Sequence, residues 1–345
     1  GLSAAQLRER GAELGWHEAR VAVAAEMAST YVAYRYCDKL LALLQSDGAS
    51  RQETARLAQL TADAGFSAPA TAQLARASSW DAASNVAAAQ AQCDGLVKAL
   101  VALSGLEEAS LRQKLKANQD AARAITAQDA LFSVATALPS VPAALLAQRP
   151  DIAAAQASVA AAAMDIRSAD ARRYPALSLN GNIARTQVSQ AGVSREGVTW
   201  SFGPVALSLP LTNQSFTRAN TEAAIAAYDA AVAALQSKTR QAVREVEESL
   251  VQLNAAQQRG EQTKAAAQGY GASLAATQAR YRAGLASLVE LEDARRTALF
   301  AQQNQLNVER ERVLAWISLY RATGGGWTAQ TPMGEAQAAA PISTP

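Results

Sequence analysis

Histidine, cysteine and aromatic residues are scarce in this 345-residue chain, which has one His, two Cys and 5% Phe, Trp and Tyr together. One His and two Cys fall short of the four ligands that a structural zinc site usually takes. The only imidazole, His17, has no second His beside which to bind metal and no constellation in which to serve a Ser or Thr nucleophile. It is expected to be an exposed or interhelical residue. No Gly-rich phosphate loop is found either, so neither an enzyme nor a bound cofactor is expected. Charge of one sign is lacking too: 32 Lys and Arg against 30 Asp and Glu leave a net +2, which removes the electrostatic case for a nucleic-acid partner. Apolar runs are short and Ala-rich, with no strongly apolar stretch of 18 residues, so no transmembrane helix is expected. What remains abundant is alanine, about a quarter of the chain and far above ordinary usage. Alanine is the best helix former and lets backbones approach closely, so long helices packed side by side fit this composition better than a conventional core.

Proline is absent from 1–68, 70–138 and 211–331 and crowded between Pro139 and Pro210. An interior Pro removes a helix hydrogen bond and clashes with the preceding turn, so the three Pro-free intervals are where long helices can form. Ile225, Tyr228, Val232, Leu235, Val246 and Leu253 recur near a 3.5-residue seam, and Leu299, Leu306, Val313 and Tyr320 repeat every seven residues. A helix over 213–280 would run roughly 100 Å at 1.5 Å per residue, too long for one compact domain. An extended coiled-coil scaffold shows the same periodicity and stays open at this point.

The middle of the chain alternates instead. Leu177, Leu179 and Ile183 interleave with Ser178, Asn180 and Asn182, the period of a strand with one apolar and one polar face. Trp200 and Phe202 alternate in the same way, and Val205, Leu207, Leu209 and Leu211 resume in the opposite parity after Gly203-Pro204, which predicts a bulge there. The polar stretch from Arg185 to Gly197 is expected to be a long loop. Such strands suit either a half-buried soluble hairpin or a transmembrane barrel, in which Trp200 and Phe202 would sit at the interface.

The sequence also matches itself at an offset of 219 (284 − 65). Ala64-Gly65-Phe66 falls on Ala283-Gly284-Leu285, Ala75-Arg76 on Ala294-Arg295, Glu26 on Glu245 and Val32 on Val251. The shared register reads as a tandem duplication of a helical hairpin. Gly65 and Gly284 would occupy the left-handed C-cap position, and Pro69 the first turn of the returning helix. Arg149-Pro150-Asp151 reads as another helix start, with Asp151 at the positive dipole end. The second copy is preceded by a helix and a strand pair, whereas the counterpart in the first copy would lie before Gly1. Because Gly1-Leu2-Ser3 does not open a signal peptide, the sequence is expected to lack an N-terminal portion, with a naturally short protein as the other reading.

Three segments resemble the outer membrane factor family, the TolC-like exit ducts, in the branch that works with resistance-nodulation-division pumps. They are Leu138-Pro139-Ser140-Val141-Pro142 with Leu145 to Ile152 and Tyr174 to Leu179; Tyr281-Arg282-Ala283-Gly284-Leu285 with Leu288, Leu291 and Asp293; and Leu319 to Ala322 with Gly324-Gly325-Gly326-Trp327. The resemblance implies a mainly α protein. Its long coiled-coil-like hairpins would form part of a trimeric α-barrel, and its β-hairpin would contribute to an outer-membrane β-barrel in contact with lipid. On this reading 1–115 is the first helical hairpin, 116–150 an equatorial segment, 151–175 a helix leading to the barrel and 176–212 the barrel hairpin. Residues 213–323 are then the second helical hairpin and 324–345 a tail. The implied function is a passive outer-membrane conduit with helices in the periplasm, a homotrimer fed by an inner-membrane pump through a periplasmic adaptor. The alternative is a cell-envelope helical scaffold or adaptor without channel activity.

The resemblance also implies site residues. Gly65, Phe66, Tyr281, Arg282, Gly284 and Leu285 would form the periplasmic tip and its adaptor contact, although the apolar pair Phe66 and Leu285 can equally be explained as staples of the turns. Glu290 and Asp293 match positions of acidic rings at the pore entrance; with Arg282, Arg295 and Arg296 close by, a solvated helix face reads as well. The family's tip latch is not available, because Ala286 and Thr71 stand at its positions. The family's protomer supplies four strands where two are read here, and Thr212 to Phe216 replaces a usual Gly pair. Cys37 and Cys93 lie at similar distances along opposite arms from the break at 65–68. A disulfide is allowed in an oxidising periplasm if the Cα atoms come within about 7 Å, and two buried free thiols are the other reading.

Overall fold

The computed structural model describes residues 2–124, 149–190, 193–208 and 214–327. The elements run α1 (Leu2–Asp63), α2 (Pro69–Ser104), α3 (Glu108–Ala124), α4 (Pro150–Ala171), β1 (Ala176–Gln190), β2 (Val193–Ser208), α5 (Gln214–Arg282) and α6 (Leu288–Ala322). The fold is therefore mainly helical with one antiparallel hairpin. The Pro-marked motif from Leu138 to Gln148 and the chain after Trp327 lie outside the described residues. The ends of α1 and α5, Asp63 and Arg282, are 219 positions apart, as are the starts of α2 and α6, Pro69 and Leu288. The break after α2 has no Pro: α2 ends at Ser104 because Gly105, at φ 66°, caps it and donates its N–H to the Val101 carbonyl at 2.9 Å.

The chain divides into two compact units. The first comprises Gly1–Trp16 and Pro150–Arg240. Within it, α4 opens at Pro150 with Asp151 in its first turn, and Ala157, Ala161 and Ala169 are buried with Ala4 and Leu14 of α1. Gly11 comes close enough to α4 that a Cβ would rest 3.9 Å from that of Ala157. Arg8 pairs with Asp165.

The strand pair of the same unit resolves the parity problem. Leu179 pairs with Val205 and Gly181 with Phe202, so Gly203 and Pro204 together oppose Asn180. This bulge absorbs one extra residue, and Pro204 brings no N–H that would need a ladder partner. A Cβ at Gly203 would lie 3.1 Å from the Asn180 carbonyl oxygen. Arg185 to Gly197 is not the expected loop: pairing continues through Arg185↔Val198 to Gln190↔Val193. Ladder hydrogen bonds need no apolar alternation, and Arg185 adds a cross-strand ion pair to Glu196 at 2.6 Å.

The second unit comprises His17–Arg149 and Gln241–Pro345. Its seams run on small residues. On α6 the fully buried heptad is Ala301, Val308, Ala315 and Ala322; of the seam predicted by the large residues Val313 is buried, Leu299 and Leu306 are half-buried, and Tyr320 is exposed. On α5 it is Ala242, Ser249 and Ala256 with Val246, whereas Ile225, outside this unit, is exposed. Alanine faces let helices approach, and the larger side chains are displaced to the flanks. The duplication is legible in burial: Ala72 and Leu291, Ala82 and Ala301, and Ala89 and Val308 are buried pairs at the same offset. Not every identity shares an environment, since Val32 is 5% exposed and Val251 66%.

Four hydrophobic clusters hold this unit, each drawn from at least two helices. One of them docks α3 on α2 through Val97, Leu100, Leu111 and Leu115. Above that contact Arg112 bridges Asp94 and Glu108 at 2.9 and 3.0 Å. Hydrogen bonds from Lys98 and Arg112 hold the Glu108 carboxyl below its ordinary range, and one from Arg112 does the same for Asp94.

By length and composition α2 can cross a membrane, with a mean hydropathy of 1.2 over its best window, contrary to the sequence expectation. Its apolarity comes from alanine, and Arg76, Asp81, Asp94 and Lys98 punctuate it. It is also joined covalently to α1 by the Cys37–Cys93 disulfide.

At the far end of α6, Gly324, Gly325 and Gly326 all adopt positive φ, and a Cβ on Gly325 would sit 2.5 Å from Val21 Cγ1. Arg149 reaches this end as well, donating to the Ala322 carbonyl at 2.8 Å and to Glu245 at 2.9 Å. It thus serves α6 besides preceding α4. His17, half-buried, lies with its ring 6.0 Å from that of Trp327.

Candidate functional site at the helix reversals

Both reversals use one backbone device. Gly65 (φ 76°) donates to the Ala62 carbonyl and Phe66 to that of Thr61; Gly284 (φ 71°) donates to Tyr281 and Leu285 to Arg280. This is the Schellman arrangement, which satisfies the last carbonyls of a helix and needs a left-handed residue at its centre. The two turns then differ. Ala68 provides no side-chain cap to α2, and Pro69 alone starts the helix. Ser287 caps α6 in a full capping box: its hydroxyl accepts from the Glu290 N–H at 3.1 Å while Glu290 reaches back to the Ser287 N–H.

Phe66 is 86% exposed and Leu285 70%, so neither is spent on stapling its own turn. Arg282 is exposed as well, whereas Tyr281 packs against the cluster of Ala55, Ala58, Ala75, Leu288 and Leu291. Members of that cluster come from α1, α2, α5 and α6, so the two reversals are brought together. Glu290 lies 3.6 Å from Arg280, and Asp293 pairs with Arg296 one turn along; both acids are exposed.

A half-buried polar cluster, with Arg295 at its packed centre, lies behind the reversals; sequence reasoning did not find it. Arg51 of α1 bonds Asp47 at 2.7 Å and Ser78 of α2 at 2.6 Å, and it pairs with Glu292 of α6. Glu292 accepts from Ser78 at 2.7 Å and from Arg295 at 2.7 Å. Arg295 extends across to Thr54 at 2.7 Å and Ser50 at 3.0 Å. Arg295 is 3% exposed, so it belongs to the packed interior and not to a solvated face. Two cations meet two anions, and three helices are tied within a few turns of the tips. Beside this clamp lies a cleft of about 200 Å³ lined by Leu44, Asp47, Arg51, Asp81, Asn85 and Leu299 among others. No local motif announces the clamp, because its partners are some 241 residues apart. The repeat register does not announce it either: Gln73 and the exposed Arg76 stand at the positions of Glu292 and Arg295.

The other notable surface is the β-hairpin. Cross-strand pairing puts Leu177 opposite Leu207, Leu179 opposite Val205 and Ile183 opposite Trp200, with Phe202 and Val198 in the same row. All eight are between 64% and 81% exposed, and the rings of Trp200 and Phe202 meet edge to face at 5.7 Å. The opposite face carries Ser178, Asn180, Asn182, Thr199 and Ser201. Cys37 and Cys93, each 28 positions from Gly65, are 5.6 Å apart at Cα and bonded, which leaves no free cysteine.

Comparison with known proteins places these features in a context. The model of the family described as outer membrane efflux protein matches residues 141–325. Outer membrane protein OprJ of Pseudomonas aeruginosa is 29% identical over 316 residues, which make up 90% of this chain and 62% of OprJ. A solved structure of a membrane protein from Pseudomonas aeruginosa superposes with a TM-score of 0.77 at 28% identity, covering 94% of this chain and 71% of its own. The outer-membrane channel OprN gives a TM-score of 0.77 at 25% identity with the same coverage. This chain spans less than two thirds of the length of the curated relatives it matches.

Proposed function

Because this chain belongs to the outer membrane efflux protein family, we propose that it is a protomer of an outer-membrane exit duct, a passive conduit in a tripartite efflux or secretion system. Three copies join their helices into a periplasmic tunnel and their strands into one barrel. An inner-membrane pump supplies the driving force through a periplasmic adaptor, and the duct itself performs no chemistry. The observation that supports this reading best is the uncovered apolar row on the β-hairpin. From Val198 to Leu207 it runs ten residues, about 30 Å along the strand and roughly 25 Å when tilted as barrel strands are, the height of an outer-membrane apolar band.

The row gives the test. Leu179→Lys puts a charge on the apolar row away from its aromatic end, at a cost of up to about 2–4 kcal/mol, which should abolish flotation of the full chain with phospholipid vesicles. Asn182→Lys on the opposite face should leave flotation intact. Equal behaviour of the two variants, or a protein that never needs detergent, favours a water-soluble scaffold instead.

At the tips, Phe66, Leu285 and Arg282, presented by Gly65 and Gly284, form the adaptor contact on this reading. Of the two acids Asp293 is the better ring residue: Glu290 is tied into its own helix cap and to Arg280, whereas Asp293 pairs with Arg296 one turn along on the exposed face. Asp293→Asn should lower cation preference in planar-bilayer recordings, because a ring of carboxylates concentrates cations in a pore. An unchanged reversal potential under a salt gradient removes that role.

A further inference from the structure

The first helical hairpin holds a disulfide that its folded state conceals. Cys37 is 1% exposed and Cys93 5%, among Ala89 (6%), Val97 (1%) and Leu100 (2%). Thiol–disulfide exchange requires a sulfur to be approached along the axis of the bond being broken, and both cysteines are buried in the packed hairpin. The bond is also specific to this copy: the positions 219 later are Ala256, buried at 3%, and Arg312. The second hairpin therefore closes without a disulfide.

We infer that the Cys37–Cys93 bond is made while the first hairpin is still open, by exchange with an external disulfide in the cell envelope, and that packing of α1 on α2 then shields it. The chain passes through two exchanges. One cysteine thiolate attacks the donor's disulfide, forming a mixed disulfide and releasing one donor thiolate. The second cysteine thiolate attacks the chain-side sulfur of that mixed disulfide, forming Cys37–Cys93 and releasing the other donor thiolate. Two chain thiols lose two protons and two electrons, and one donor disulfide becomes two thiols. The donor partner is thus a thiol–disulfide oxidant that meets an extended segment. This inference needs an oxidising compartment but no part of the duct reading.

The experiment uses the full chain in detergent. Native chain is exposed to excess dithiothreitol, quenched with maleimide and weighed by mass spectrometry, in parallel with chain in concentrated urea. Labelling of the native chain is expected to be slower by on the order of a thousandfold, because reduction waits for the hairpin to open. In a second arm, chain reduced in urea is refolded without oxidant and then given glutathione disulfide; it should remain a dithiol, whereas glutathione disulfide present from the start of refolding should yield the bond. Native reduction within about tenfold of the rate in urea, or ready oxidation of the refolded dithiol, overturns the inference. If the reduced chain fails to refold, the first arm decides alone.

Discussion

Glu292→Ala is expected to cost the protein about 3–5 kcal/mol, the usual loss when one partner is removed from a buried ion-pair network. The clamp explains the size. Without Glu292, the Arg295 guanidinium, in a side chain only 4% exposed, keeps the Ser50 and Thr54 hydroxyls but loses its carboxylate. Arg51 retains Asp47, so one buried and one half-buried cation face a single anion. Glu292→Gln keeps an acceptor and should fall between the variant and the parent. Gln73→Ala, at the register position of Glu292 in the first copy but exposed, should change stability by no more than about 0.5 kcal/mol. Urea titration of the full chain followed by circular dichroism gives all three values. A loss below about 1 kcal/mol for Glu292→Ala would mean that the clamp contributes no more than a surface pair.

Removing the disulfide by the double substitution Cys37→Ala and Cys93→Ala is expected to have an effect of similar size. The bond closes a loop with a sequence separation of 56, for which the chain-entropy account gives about 4 kcal/mol. Alanine leaves only a small void at two already close-packed positions, so most of the loss comes from the freed unfolded chain. The unfolding free energy of the double variant from urea titration should fall by that amount, and its midpoint should not move further on adding reductant. A midpoint equal to that of the parent would show that α1 and α2 are held by packing alone.

These two features mark where sequence reasoning reached and where it stopped. The reversals were legible because one residue type answers one backbone demand: Gly65 and Gly284 sit where a left-handed residue closes the Schellman turn. The bulge was legible because strand parity is arithmetic. The cysteine pair was legible as a possibility, since equal distances from a turn bring two positions face to face. The helical seam was legible only in part: Val246 and Val313 are buried as expected, but periodicity weighs large apolar residues and so missed the buried alanines Ala301, Ala315 and Ala322. The Arg185 to Gly197 stretch was expected to be a loop because its polarity hides a ladder built from backbone groups. The clamp had no sequence signature: Arg51, Ser78 and Glu292 become neighbours only after three helices assemble, and Arg295 looks like any arginine on a charged helix. The Val32 and Val251 identity, buried in one copy and exposed in the other, shows that duplicated letters do not guarantee duplicated surroundings.

The step at Gly203-Pro204 makes residue count a tighter constraint on the barrel strand than residue identity. Exchanging any one member of the apolar row dents the surface locally. Losing a single letter at the step would rotate Trp200, Phe202 and Val198 together onto the side of Ser178 and Asn182, turning half of the strand inside out. The strand should tolerate spelling changes far better than frame-preserving deletions of one codon, and vesicle flotation would report partial defects for the former and complete failure for the latter.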